Sequence, residues 1–62
     1  MKQNYYIVTF TNGKTVFVFG FNTEEAEILA KAVMINNGLS YEVENIKVTN
    51  DLFNIEDTDF VA

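Results

Sequence analysis

The chain has 62 residues, enough for one domain, and carries four Lys against nine acidic residues, a net charge of −5. It contains no Cys, His or Arg, which excludes disulfides, the usual zinc ligand sets and the Cys–His or Ser–His arrangements of nucleophilic catalysis. No basic cluster is present to neutralise phosphates, so we expect a non-enzymatic protein without cofactor or metal that binds neither nucleic acid nor membranes directly.

The first predicted element is a β-hairpin. Two runs rich in β-branched and aromatic residues, 5–11 and 15–21, flank Asn12-Gly13. This dipeptide is typical of a two-residue type I′ turn, because both residues tolerate positive φ. The turn predicts a register in which Thr9 lies opposite Val16 and Val8 lies opposite Phe17.

That register assigns side chains to the two faces of the hairpin, since neighbouring residues point to opposite sides. Both faces are then apolar, whereas a solvated face should alternate to polar residues. The predicted core face is aromatic and carries Tyr6, Val8, Phe10, Phe17, Phe19 and Phe21. The centre of the opposite face carries Tyr5, Ile7, Val16 and Val18.

A helix is predicted from Asn22 to about Asn36. Asn22 and Glu25 have the spacing of a capping box, and Gly38 supplies the left-handed residue that ends a helix. Helical periodicity gives the helix apolar residues on two sides. One side, expected to face the sheet, has Ala26, Leu29, Ala30, Val33 and Asn37, and the other has Ile28, Ala32 and Ile35.

The residues from Leu39 to Thr49 predict a third strand. Its apolar residues change faces partway, since Tyr41 and Val43 share one face and Ile46 and Val48 fall on the other. A bulge near Glu44 would bring them to the same face. We expect this strand to pair antiparallel with the first. The predicted fold is therefore α+β: a single ββαβ domain over residues 1–49, with a three-stranded antiparallel sheet of order 2-1-3 and one helix on one face.

Residues 50–62 form an acidic and apolar C-terminal tail. A purely disordered tail would not need its large apolar side chains. We expect it to add a short strand or turn, to cover one face of the domain, or to serve as a binding segment. The predicted acidic and tail contact surface combines it with the third strand and comprises Glu42, Glu44, Asp51, Leu52, Phe53, Glu56, Asp57, Asp59 and Phe60.

The isolated fold is predicted to be marginally stable. Burial of roughly 6,000 Å², a little over half of it apolar, contributes about 90 kcal/mol. Ordering the residues costs about the same, at ~1.5 kcal/mol each. We therefore expect self-association, most simply as a homodimer, or binding of a protein partner. The predicted surface for either comprises Tyr5, Ile7, Val16, Val18, Ile28 and Ile35.

One pattern extends over about residues 5–48 and consists of the Tyr6–Val16 run with its tight turn, Asn22-Thr-Glu-Glu-Ala26, Ala30-Lys31, and Tyr41-Glu-Val-Glu-Asn-Ile46. This pattern resembles that of small uncharacterised phage and prophage proteins of ββαβ type. The resemblance implies a phage or mobile-element origin and no activity. A small acidic protein of that origin is expected to act as an accessory or inhibitor by occluding a site on a host or defence protein.

Two other functions are compatible with the sequence. The acidic C-terminal third could mimic a phosphate backbone and inhibit a DNA-binding enzyme, or the chain could be a structural or assembly component. The N-terminus runs directly into a strand pattern and no long apolar run occurs, which predicts a cytoplasmic location, that of the host if the chain is phage-encoded.

Overall fold

A computed structural model of the chain describes residues 3–49 and 58–62. Over these residues the fold is α+β, with one helix and a four-stranded mixed sheet. The sequence predicted this fold class, but with a three-stranded antiparallel sheet. The elements in chain order are β1 (Asn4–Phe10), β2 (Thr15–Gly20), α1 (Thr23–Asn36), β3 (Val43–Thr49) and β4 (Phe60–Val61).

The sheet has the order β3-β1-β2-β4. Its first three strands are antiparallel and have the predicted order, with β1 between β2 and β3. The fourth strand extends this sheet, because β4 pairs parallel with β2 through Phe60 and Val61. The part of the predicted tail that the structure describes thus contributes a short edge strand.

The predicted hairpin register is wrong by one residue. Val8 lies opposite Val16 and Ile7 opposite Phe17. The amide of Gly13 donates to the carbonyl of Phe10 at 2.9 Å, and the φ of +87° at Gly13 is the only positive φ in the turn. The connection is therefore a three-residue loop ending in a left-handed glycine, and not a type I′ turn, which needs two positive φ angles.

The one-residue shift moves every side chain of β2 to the other face of the sheet. The valines of β2, and not its phenylalanines, face the helix, so the predicted aromatic core face is wrong for this strand. The buried cluster between α1 and the sheet comprises Tyr6, Val8, Phe10, Val16, Val18, Ala26, Ala30 and Met34.

Both ends of α1 follow the predicted capping. The amide of Glu25 donates to Oδ1 of Asn22 at 2.8 Å, which satisfies one of the free N–H groups of the first turn. At the other end the amides of Gly38 and Leu39 donate to the carbonyls of Ile35 and Met34, the two bonds of a Schellman motif. Gly38 has a φ of +70°, as that motif requires.

The third strand is shorter than predicted but contains the predicted bulge. It begins at Val43, and its register with β1 shifts so that Glu44 has no partner between Val43 and Asn45. The extra residue allows Val43 and Ile46 both to pack against the buried cluster. Leu39, which precedes the strand, also packs there.

Candidate protein-interaction surfaces

The side of the sheet away from α1, here called the outer sheet face, is apolar at its centre. Pairing in the sheet places Tyr5 beside Phe19, and Ile7 beside Phe17. Val61 of β4 lies next to Phe17, and Lys47 of β3 lies next to Ile7. Within residues 3–49 and 58–62, no helix or strand packs over this face.

Three aromatic rings form the centre of the outer sheet face. The rings of Tyr5 and Phe19 stack with centroids 4.7 Å apart, and Tyr5 lies 5.5 Å from Phe17 at a tilt of 33°. Offset and tilted pairs of this kind are the favoured arrangements of aromatic side chains. Phe17 is buried, whereas Phe19 remains 42% exposed and Val61 60% exposed. Among the described residues, the apolar surface that this face presents is therefore mainly that of Phe19 and Val61.

The structure does not bring the predicted self-association residues into one surface. Val16 and Val18 are fully buried beneath α1, so neither is available to a partner. The other four residues divide between two sides of the molecule. Tyr5 and Ile7 lie half-buried on the outer sheet face, and Ile28 and Ile35 are exposed on the side of α1 opposite the sheet.

The sequence reasoning missed Phe17 and Phe19 as surface residues, because the assumed turn placed them in the core. No local signal in the sequence distinguishes the two turns. Oδ1 of Asn12 accepts from the amide of Lys14 at 3.0 Å, and Asn favours such local bonds in several turn types. The Asn-Gly pair is therefore compatible with a three-residue loop as well as with a type I′ turn.

The described members of the predicted acidic and tail surface have different environments. Glu42 and Glu44 are exposed, while Phe60 is half-buried against the buried cluster. The remaining predicted residues lie outside the part of the chain that the structure describes: Asp51, Leu52, Phe53, Glu56 and Asp57.

Asp59 has a local structural role. Its Oδ2 accepts from the amide of Thr15 at 2.9 Å and from the hydroxyl of the same residue at 3.2 Å. The backbone hydrogen bond is the main reason why the pKa of this carboxyl is lowered from its ordinary value of 3.8. The amide of Asp59 in turn donates to the carbonyl of Thr15, so these contacts fasten β4 to the beginning of β2.

A groove of about 640 Å³ lies between α1 and the segment leading into β3. It combines charged, aromatic and apolar side chains. Nζ of Lys31 lies 2.9 Å from Oε2 of Glu27 one helical turn away, and Tyr41 is 55% exposed. The groove is lined by Glu27, Lys31, Ser40, Tyr41, Glu42 and Val43.

Neither a metal centre nor a membrane span is found in the described part of the chain. Its acidic side chains do not gather in groups of three or more that would suit a metal ion. Its helix is too short and too polar to cross a bilayer. Comparison with protein-family models, curated proteins and solved structures yields no significant match.

Proposed function

We propose that this chain is a small non-catalytic protein-binding module that self-associates through its outer sheet face. The observation that carries the proposal is the ordered aromatic cluster of Tyr5, Phe17 and Phe19, which lies on the side of the sheet away from the helix. Aromatic side chains contribute large contact areas and are enriched in protein interfaces. The lack of His, Cys and Arg supports a role in binding rather than in catalysis.

A second copy fits this face better than a basic partner does. The chain has a net charge of −5, so two copies repel each other unless the contact avoids their carboxylates. Within the described residues this face carries one ammonium, that of Lys47, and one carboxylate, that of Asp59 at the turn end, which already accepts from the amide and hydroxyl of Thr15. Its apolar centre therefore offers little to a basic partner but can be buried against a second copy.

The size of the face sets the expected strength of the dimer. Three strands of 7, 6 and 7 residues and the 2-residue β4 cover roughly 350 Å², at about 3.3 Å per residue and about 4.8 Å between strands. Two such faces bury about 700 Å² in total, which is below the roughly 1,200 Å² of stable specific interfaces and is typical of weak contacts. We therefore expect a reversible dimer with a dissociation constant in the micromolar range or above, dependent on protein concentration.

Sedimentation velocity over a concentration series tests the proposal with matched variants. Phe19→Asp places a charge on the exposed part of the aromatic cluster and should leave a monomer at concentrations where the wild-type chain is dimeric. Ile28→Asp makes the same change on the outer side of α1, where Ile28 is 68% exposed, and should leave the dimer intact.

The outcomes separate the possible occupants of the face. A wild-type chain that stays monomeric at millimolar concentration would refute self-association through this face. Loss of the dimer in Ile28→Asp alone would move the contact to the helix. The roles of accessory or inhibitor of a host or defence protein remain predictions that identification of a partner would test.

A further inference from the structure

We propose that the groove between α1 and the segment leading into β3 binds an arginine-bearing segment of a partner protein. Its two carboxylates, Glu27 and Glu42, outnumber its single ammonium, Lys31, and leave one net negative charge. The groove is open to solvent, so it suits an extended segment of a partner better than an enclosed small molecule. This second site lies on the helix side of the sheet, so it is independent of self-association through the outer sheet face.

The chemistry of the lining favours arginine over other cations. A guanidinium can stack on the exposed ring of Tyr41 and donate to a carboxylate with two parallel N–H groups. The ammonium of lysine is a compact point charge, so it stacks on a ring less well and lacks the planar pair of N–H groups that matches a carboxylate. Val43 lines the groove and is half-buried, so it can contact the aliphatic part of the arginine side chain. Phosphate-bearing partners are disfavoured because the two carboxylates repel them.

The segment that carries Tyr41 and Glu42 is held in place at both ends. The Schellman bonds of Gly38 and Leu39 precede it, and the carbonyl of Glu42 accepts from the amide of Thr11 at 2.9 Å. A guest therefore meets a lining whose backbone is already ordered, which lowers the entropic cost of binding.

The existing ion pair in the groove does not block it. Lys31 and Glu27 pair across one turn of α1 with side chains that are 37% and 41% exposed. Such exposed pairs contribute little and rearrange readily. A carboxylate has two oxygens and about four acceptor sites, so Glu27 can accept from a guanidinium while it keeps its bond to Lys31.

Titration of the ¹⁵N-labelled chain with the peptide acetyl-Gly-Arg-Gly-Arg-Gly-amide, followed by amide chemical shifts, tests the proposal. We expect saturable shifts centred on Glu27 and residues 40–43. The same peptide with citrulline in place of arginine keeps the shape and lacks the charge, and should give no saturable shift. Sedimentation of the same samples reports self-association separately, so failure of either proposal is seen on its own.

Paired variants locate the interaction. Glu42→Gln should weaken binding about fivefold, because it removes one charge-assisted acceptor. Glu44→Gln removes the same charge two residues away, outside the groove, and should stay within about twofold of wild type. Tyr41→Leu should weaken binding about threefold, whereas Tyr41→Phe keeps the ring and should bind like wild type.

Three results would overturn the proposal. Equal losses in Glu42→Gln and Glu44→Gln would mean diffuse attraction to an acidic surface rather than a site. Equal binding of the citrulline peptide would mean that charge is not recognised. The absence of saturable shifts at the groove, in a chain whose spectrum shows it to be folded, would mean that arginine peptides do not bind there.

Discussion

The substitution Val18→Thr tests the hairpin register on which the fold and the outer sheet face depend. In the structure Val18 is fully buried between β2 and α1. Threonine has nearly the same shape and a similar preference for strands, so the change adds a hydroxyl to the core without opening a cavity. Burying a hydroxyl that has no hydrogen-bond partner costs about 2 kcal/mol.

A loss of this size is large for a domain of 62 residues, whose total stability is expected to be about 3–9 kcal/mol. With a urea dependence of about 1 kcal/mol per molar, the unfolding midpoint should fall by about 2 M. The matched control is Val48→Thr, because Val48 is 48% exposed on β3 and its substitution should shift the midpoint by less than about 0.5 M.

Urea unfolding followed by circular dichroism distinguishes the two registers. In the register predicted from a type I′ turn, Val18 shares a face with Tyr5 and Ile7, and the added hydroxyl would reach solvent. Equal midpoints for Val18→Thr and Val48→Thr would therefore contradict the observed register and restore the aromatic core face. Protein concentration is kept constant and low, so that self-association does not contribute to the midpoints.

Three further predictions concern the ends of elements. Asn22→Ala should lower the free energy of unfolding by about 1 kcal/mol in urea melts, because the amide of Glu25 loses its acceptor, whereas Asn22→Asp keeps an acceptor and should be nearly neutral. Gly38→Ala should cost about 1 kcal/mol in the same assay, because its φ of +70° is unfavourable for a residue with a Cβ. Because the pKa of Asp59 is lowered in the folded chain, its ionised carboxylate stabilises the attachment of β4 fully at pH values above the ordinary pKa of 3.8. This stabilisation is lost as the pH falls through the folded-state pKa. The protection factor of the amide of Ala62, which donates to the carbonyl of Phe17, should therefore fall at acidic pH and in Asp59→Ala; an unchanged protection factor in Asp59→Ala would contradict this role of Asp59.

Part of the candidate sites followed from sequence and part did not. Apolar side chains on two sides of the helix and hairpin indicated surplus surface, and the structure places exposed Ile28 and Ile35 on the outer side of α1. The groove was not predictable, because Glu27 and Glu42 are fifteen positions apart and meet only where the chain returns from α1 into β3. Its lining depends on tertiary packing and has no local motif.

Local interactions explain what the sequence determined by itself. The caps at Asn22 and Gly38 depend on a few neighbouring residues, and the change of apolar face along the third strand indicated the bulge at Glu44; the structure confirms these three features. Only the tertiary structure decided the register of β2 and the attachment of β4. Two Asn-Gly turns that differ by one residue are both locally acceptable, so the choice between them rests on long-range packing. That packing places the valines of β2 beneath α1 and leaves Phe17 and Phe19 on the outer sheet face.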